Sequence, residues 1–288
     1  MAETVQTRRF SLAVRGTERK FSLIGVLFSA FGVVGLLFLT LPLLALIIRA
    51  LDSRAWEGAP GSAIPDAIYL SLISTLVTIA LTIAFGTPLA YLLARHNFPL
   101  KRIVNVIIEL PIVLPPAVAG LALLVTFGRR GLLGPALDDL GISIPFTMAA
   151  VIMAQTFVAA PFYIRSAVVG FQGVPKEIED AAKVDGADEV RLFTHITLPM
   201  TSRSLGAGLI LSWARALGEF GATILFAGSL QGRTQTMPLL IYNVIERDIN
   251  AAIWTGLILI ALALVALLIS QWFTQRAKDD CQATPESV

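Results

Sequence analysis

The chain alternates between long apolar stretches and short polar segments. A helix needs about 20 apolar residues to cross the hydrocarbon core of a membrane, and six stretches reach that length. The stretches are continuously apolar rather than alternating, which favours helices over a barrel, because a helix satisfies its own backbone hydrogen bonds in lipid. The predicted spans are residues 22 to 48, 66 to 94, 103 to 127, 145 to 169, 204 to 227 and 251 to 273.

Composition supports a membrane protein. Of the 288 residues, 56% are hydrophobic and only 15% are charged, with a mean hydropathy of +0.76. A net charge of +2 is too small to indicate nucleic-acid binding. The single cysteine, Cys281, excludes an intrachain disulfide framework and a cysteine-based zinc cage. We therefore expect an all-α membrane protein with six transmembrane helices and with no metal and no cofactor.

The positions of Lys and Arg predict the orientation. With six spans, both tails and the loops between spans two and three and between spans four and five share one side, which carries 13 of the 22 basic residues; the other side carries six. Because basic residues concentrate in the cytoplasm, both termini are predicted to be cytoplasmic. The predicted organisation is a tail at 1 to 21, a membrane domain at 22 to 275 and a tail at 276 to 288.

The third span contains three prolines, Pro111, Pro115 and Pro116. Proline lacks an amide donor and interrupts a helix, which a membrane tolerates only where neighbouring groups or water take up the freed carbonyls. The prolines therefore predict a broken helix, which is either a kink between packed helices or part of a transport pathway.

The longest cytoplasmic loop, residues 171 to 203, is predicted to form two short helices. The first begins at Pro175, has acidic residues in its opening turn and ends at Gly186, in agreement with helix-terminus preferences. The second runs from about 188 to 194. One interpretation is a pair of interfacial helices lying on lipid, although the loop lacks the basic face that anionic lipid favours. The other is a docking surface for a partner protein.

The same loop resembles the permeases of bacterial ABC importers. These permeases carry E-A-A, three residues, glycine, nine residues and then I-x-L-P. The loop reproduces every spacing and departs from the pattern only at its first residue, where aspartate replaces glutamate with the charge kept. The matching residues are Asp180, Ala181, Ala182, Gly186, Ile196, Leu198 and Pro199.

The resemblance implies that the loop couples the spans to a separate ATPase subunit. The chain contains no G-x-x-x-x-G-K-[ST] phosphate loop, so ATP hydrolysis is expected in that partner and this chain is not expected to be an enzyme. The implied assembly contains two copies of this chain as a homodimer, two ATPase subunits and one periplasmic or extracellular oxyanion-binding protein. It would lie in the bacterial inner membrane.

Four segments resemble the molybdate permeases and their sulfate and thiosulfate relatives. The first three are more typical of the molybdate branch, and the last is shared across oxyanion permeases. This resemblance implies molybdate as the cargo, with tungstate, sulfate or thiosulfate as alternatives. The segments are residues 110 to 120 (LPIVLPPAVAG), 128 to 134 (GRRGLLG), 232 to 238 (GRTQTMP) and 214 to 223 (ARALGEFGAT).

The fifth span carries a small and polar stripe at helical spacing. Ionisable residues inside a span are costly and usually face the interior of a bundle. The stripe is predicted either to line the anion pathway or to form the seam between two permease copies, and its arginine and glutamate could also be a structural ion pair. Its members are Gly208, Ser212, Arg215, Glu219 and Thr223.

Two other function classes are compatible with a six-span chain. One is a secondary transporter or channel driven by an ion gradient, in which the polar loop is only structural. The other is an intramembrane enzyme, which is disfavoured because no span carries H-E-x-x-H, a paired-aspartate site or another nucleophile and base arrangement.

Overall fold

A computed structural model describes the backbone of residues 23 to 282 and the side chains of residues 24 to 268. Throughout this part of the chain the regular structure is helical, which confirms the predicted fold class. The predicted amino-terminal tail, residues 1 to 21, lies outside the described residues. The helices are α1 (Leu23–Asp52), α2 (Ala63–Arg95), α3 (Lys101–Val113), α4 (Pro116–Phe127), α5 (Gly134–Asp139), α6 (Met148–Gln172), α7 (Lys176–Val184), α8 (Glu189–Leu192), a π-helical turn (Phe193–Thr197), α9 (Leu198–Leu217), α10 (Gly221–Phe226), α11 (Met237–Ile245) and α12 (Ile249–Gln282).

The predicted count of six spans is not confirmed. Within residues 23 to 282, four helices are long and apolar enough to cross a membrane, namely α1, α2, α6 and α12, and the bent pair α3 and α4 makes five if it counts as one span. The fifth predicted span, 204 to 227, is divided between α9 and α10. Because α9 carries Arg203, Arg215 and several serines, it is less hydrophobic than the others.

The chain divides into two compact units, residues 1 to 48 and 49 to 288. The described part of the first unit is the body of α1, whose large side chains point outward. Phe28, Phe31 and Phe38 are each at least 75% exposed. A helix that is apolar on every side and exposes aromatic rings is suited to lipid.

The second unit is built around α6, the helix with the largest buried share. Toward its amino end, Ala150 and Ala154 pack with α4 and α10. Toward its carboxyl end, Tyr163 and Phe171 pack with α2 and Leu205 of α9. Lipid supplies no hydrophobic drive between helices, so close packing through small residues holds such a bundle together.

Hydroxyl side chains on the buried face of α2 form hydrogen bonds inside the bundle. Thr78 donates to the side-chain oxygen of Gln155 on α6 at 3.1 Å, and the Ser71 hydroxyl accepts from the backbone N–H of Met237 at 2.8 Å. Thr75 donates to the carbonyl of Ser71, one turn earlier, at 2.7 Å. These bonds satisfy polar groups that would otherwise be exposed to hydrocarbon.

Candidate functional site

The predicted first helix of the loop is present as α7. Pro175 occupies its N-cap position, and Glu177 and Glu179 lie in its first turn, where the helix dipole favours acids. Gly186 follows the helix with φ +87°, a left-handed conformation that glycine adopts without strain. The N–H of Ala187 then donates to the carbonyl of Ala182 at 2.9 Å, which closes the helix end.

Most of the predicted coupling residues lie on the outer surface of this segment. Asp180, Ala181 and Gly186 are exposed, and Ala182 is half-buried. Val184, between them, is 88% exposed, which is unusual for a large apolar side chain in a polar loop. α7 therefore presents a small, partly apolar face to its surroundings.

The prediction of a separate second helix at 188 to 194 is wrong, because the helix that begins there does not end before α9. Asp188 caps α8 by accepting from the N–H of Arg191 at 2.7 Å. The helix then continues through the π-helical turn into α9 without a break. Pro199 cannot donate a backbone hydrogen bond and its ring crowds the preceding turn, which accounts for a wider turn just before it. Ile196 is half-buried in that turn, while Leu198 and Pro199 are exposed at the start of α9.

One functional candidate in this segment was missed by the sequence analysis. Glu179 is only 7% exposed, and its carboxylate pairs with Arg95 at the end of α2 and accepts from the Thr197 hydroxyl at 3.2 Å. Arg95 also donates to the carbonyl of Val174 at 3.3 Å. The available signal was an acid directly before Asp180 together with an arginine at the end of a span.

Three aromatic rings pack together about one helical turn from Arg95, the arginine of this ion pair. The ring centroid of Tyr91 lies 5.6 Å from that of Phe171 and 5.3 Å from that of Phe193, both in edge-to-face geometry. The three rings belong to α2, to α6 and to the π-helical turn. Edge-to-face pairs add stability beyond area burial, so the polar loop and two spans meet in one packed cluster.

An apolar cavity of about 760 Å³ opens beside this cluster. Its polar groups are few and lie on its wall, among them Thr87, whose hydroxyl is 2.6 Å from that of Tyr163. The remaining walls come from α2, α9 and the coupling segment, which is the stretch of residues 176 to 197 that carries most of the predicted coupling residues. The lining residues are Ile83, Ala84, Thr87, Pro88, Tyr91, Tyr163, Glu189, Val190, Phe193, Leu198, Leu205 and Leu209.

The predicted stripe of the fifth span does not lie on one continuous helix. Gly208 and Ser212 are buried on α9 against α6 of the same chain, where Ser212 donates to the carbonyl of Ala159 at 2.9 Å. α9 ends at Leu217. Residues 218 to 220 are not helical, and α10 begins at Gly221.

The two ends of this break are joined by an ion pair. Glu219 is 1% exposed; it pairs with Arg215 at 2.7 Å and accepts from the N–H of Ala222 at 2.7 Å, so it also satisfies the start of α10. Thr223 is fully buried in α10. Contacts within one chain therefore account for Gly208, Ser212 and Glu219. The buried hydroxyl of Thr223 has no hydrogen-bond partner among the described residues, and Arg215 is the most exposed member of the stripe.

The prolines of the third span break the helix as predicted. Pro111 lies inside α3, Pro115 precedes α4 and Pro116 begins it, and the two helices meet at an angle of 116°. The break packs directly on α10: a Cβ added to Gly221 would lie 2.5 Å from Pro116 Cβ, and one added to Gly120 would lie 2.7 Å from the carbonyl oxygen of Ala222. The prediction that the break lies on a pathway remains a prediction.

Two ionisable residues near this break also pair. Glu109 of α3 and Arg165 of α6 form an ion pair at 2.7 Å, although each side chain is about half exposed. Arg165 belongs to no sequence motif that indicates a role. The pair ties the broken span to the central helix of the bundle.

The segment 128 to 134 owes its glycines to close backbone packing. A Cβ on Gly131 would collide with the carbonyl oxygen of Val125, and a Cβ on Gly134 with that of Gly128. Arg129, which lies between Gly128 and Gly131, is exposed. The glycine spacing therefore has a structural cause independent of any ligand.

A second cavity, of about 540 Å³, lies at the opposite end of the bundle from α7 and is more polar. Its walls come from the connections before α2 and α11 and from the start of α12. They include Ser229, Gln235, Asn243, Arg247 and Asp248.

Comparison with known families decides which class of protein carries this geometry. Residues 86 to 279 match the family described as "Binding-protein-dependent transport system inner membrane component". The chain belongs to this family. It is a permease subunit of the ABC importer type and a membrane protein, which confirms the resemblance carried by the coupling segment.

Relatives of this permease include proteins named for different anions. It is 39% identical over 236 residues to the "Molybdenum transport system permease protein ModB" of Mycobacterium tuberculosis, covering 82% of this chain and 89% of that protein. It is 32% identical over 283 residues to the "Sulfate transport system permease protein CysW" of Escherichia coli, covering 94% of both.

Solved structures share the fold of this permease. A chain of a bacterial alginate ABC transporter, crystallised in complex with a periplasmic protein carrying an alginate pentasaccharide, superposes with a TM-score of 0.72. The match covers 88% of this chain and 94% of that chain at 16% sequence identity. At that identity the likeness supports the helical architecture and no particular cargo.

Proposed function

We propose that this permease translocates molybdate across the inner membrane as part of an ATP-driven importer. The observation that carries the proposal is the higher identity to a molybdenum permease, 39%, than to a sulfate permease, 32%. The segments 110 to 120, 128 to 134 and 232 to 238, which resemble the molybdate branch, lie within residues 86 to 279, the part of the chain that matches the family.

The proposed importer contains two copies of this chain, two ATPase subunits and one periplasmic binding protein, with both termini of the permease in the cytoplasm. Each copy has one coupling segment, and each segment would serve one ATPase. The exposed face of α7, with Asp180, Ala181 and Gly186, suits docking into a groove of that partner, because small residues permit close approach.

In the proposed cycle, ATP binding draws the two ATPases together and carries the α7 helices inward. The π-helical turn joins α8 directly to α9, so motion of the coupling segment would reach α9 through continuous helix. The spans would then change from inward-open to outward-open, and hydrolysis would reset them. A pathway of this kind holds its anion weakly so that release remains possible, which leaves selectivity to the binding protein.

Sulfate, thiosulfate and tungstate remain alternative cargos, because these anions share a tetrahedral shape and a charge of −2. The sulfate alternative has one observation in its favour: the alignment with the sulfate permease covers 94% of both chains. An ion-gradient-driven transporter has less support, because the family depends on a binding protein.

The test is uptake of radiolabelled molybdate into proteoliposomes that hold the permease and its ATPase, with binding protein outside and ATP inside. Vesicles without ATP and vesicles with a tenfold excess of sulfate outside are the controls. We expect ATP-dependent molybdate uptake that sulfate does not compete. Sulfate uptake with equal ATP dependence would retain the importer and overturn the cargo, and uptake without ATP would overturn the ATP-driven mechanism.

A further inference from the structure

The carboxylate of Glu179 is the main anchor of α7 to the rest of the protein. Among the nine residues of α7, Glu179 is the buried one, while the others are exposed or half-buried. A helix with this distribution is not held by an apolar face. Its position therefore depends on the partners of one carboxylate.

Those partners come from elements on both sides of the coupling segment. Arg95 is the last residue of α2, and Thr197 is the last residue of the π-helical turn that leads into α9. One Glu179 oxygen contacts both, and the same guanidinium holds the carbonyl of Val174, which lies just before α7. A single buried group thus links α7 to the end of α2 and to the turn that leads into α9.

Burial makes it costly to separate the charges of Glu179 and Arg95. The side chains of Glu179 and Arg95 are each 10% exposed, so neither charge is well solvated if the other moves away. Breaking such a pair leaves an uncompensated buried charge, whereas moving both partners together does not. Tyr91, whose ring packs with those of Phe171 and Phe193, lies one turn before Arg95 on α2, so the neighbourhood of the pair is largely apolar.

From this geometry we infer that Glu179 and Arg95 form a latch that transmits displacement of α7 to the carboxyl end of α2. The chain itself connects α7 to α6, through residues 173 to 175, and to α9, through α8 and the π-helical turn, but it does not connect α7 directly to α2. The latch provides this further, non-covalent route, so that α2 and α9 move together when the coupling segment is pushed. The role in transport rests on the proposed function, whereas the anchoring of α7 does not.

The first measurement concerns anchoring and uses the permease alone in lipid nanodiscs. Hydrogen–deuterium exchange is followed for peptides covering residues 176 to 184 in the parent chain, in Glu179→Ala and in Glu177→Gln. Glu177 lies in the same first turn but is exposed, so its variant removes a charge without touching the latch. We expect at least a roughly tenfold rise in the exchange rate of α7 in Glu179→Ala, with α6 unchanged, and no rise in Glu177→Gln.

The second measurement concerns transmission and uses the complex of the permease with its ATPase and binding protein. We expect Glu179→Ala to retain ATP hydrolysis while importing several-fold less oxyanion per ATP hydrolysed. The reciprocal pair Glu179→Arg with Arg95→Glu is expected to recover more import per ATP than either single change. Glu179→Gln, which keeps the hydrogen bond from Thr197, provides a milder variant if the alanine chain does not fold.

The outcomes separate the latch from the proposed function. Unchanged exchange of α7 in Glu179→Ala would overturn the anchor. Faster exchange with parent-like import per ATP would show that the anchor transmits nothing, which also overturns the latch. If the parent complex imports no oxyanion at all, the proposed function fails, while the exchange experiment still decides whether Glu179 holds α7.

Discussion

The packing of α9 against α6 can be tested by adding one methyl group at Gly208. The sequence predicts that the stripe containing this glycine faces either an anion pathway or a second copy of the permease. The structure instead buries it against α6 of the same chain, where an added Cβ would lie 2.6 Å from the Cβ of Ser166 and 3.3 Å from the Cα of Tyr163. Carbon atoms pack favourably at about 3.5–4.0 Å, so the two helices must separate by roughly 1 Å in Gly208→Ala.

Gly206, two residues away on the same helix, provides the matched control. An added Cβ there meets no atom of this chain within 4 Å. Alanine is favoured over glycine inside a helix by about 1 kcal/mol, so Gly206→Ala should be neutral or stabilising. Gly208→Ala gains the same helix propensity but adds overpacking of about 1–3 kcal/mol, and it should therefore be less stable than Gly206→Ala by about that amount.

Thermal unfolding in detergent, followed by the fluorescence of the four tryptophans, measures the difference. A change of 1 kcal/mol corresponds to a Tm shift on the order of 2–4 °C in a chain of this size class, so Gly208→Ala should melt roughly 2–12 °C below Gly206→Ala. Adding Ser166→Gly to Gly208→Ala removes the colliding Cβ and should recover part of the loss, which is a coupling between neighbours. Equal Tm values for the two alanine variants would refute the intrachain packing.

Three further predictions concern single residues. Gly186→Leu places a side chain at φ +87°, which costs about 1–2 kcal/mol for a residue other than glycine. This variant should lower molybdate uptake per ATP hydrolysed, whereas Gly186→Asn should not. Unchanged uptake per ATP in the leucine variant would contradict the proposed role of the loop. Glu219→Ala leaves Arg215 without its buried partner and should destabilise the permease by about 3 kcal/mol, with a smaller loss of stability in Glu219→Gln. The Tm of each variant in detergent measures the loss. A parent-like Tm in the alanine variant would be inconsistent with a structural ion pair. Gln155→Leu removes the acceptor of the Thr78 hydroxyl and should lower stability by only about 1 kcal/mol, since interhelical hydrogen bonds in membranes are weak. Chemical unfolding measures this loss of stability. A loss several times larger would indicate a different role for Gln155.

Local sequence signals predicted α7, the first helix of the coupling segment, well. Proline and acids at the start of α7 and glycine after its end determine that helix through backbone conformation and the helix dipole, and neither effect depends on distant residues. The break at Pro115 was predictable for the same reason, because proline lacks the amide donor that a continuous helix requires. Motif spacing in the loop was likewise sufficient to predict the family.

Periodicity was less reliable where polar residues interrupt an apolar stretch. A window covering 204 to 227 is apolar enough to suggest one span, but the chain breaks at Gly218 and Glu219 caps α10. The sequence shows Arg215 and Glu219 one turn apart, which is compatible with one helix. Only packing of α10 on α4, through Gly120 and Gly221, decides that the helix ends there.

The sequence by itself determined the helical membrane class, the position of the coupling segment and the family, because hydropathy, helix-end chemistry and motif spacing are local properties. Only the tertiary structure decided which surface each residue faces. Glu179 and Asp180 are adjacent acids, yet one is buried against Arg95, 84 residues earlier, and the other is exposed. Burial and pairing arise from contacts between distant segments, so no local pattern could assign the first to an anchor and the second to a docking surface.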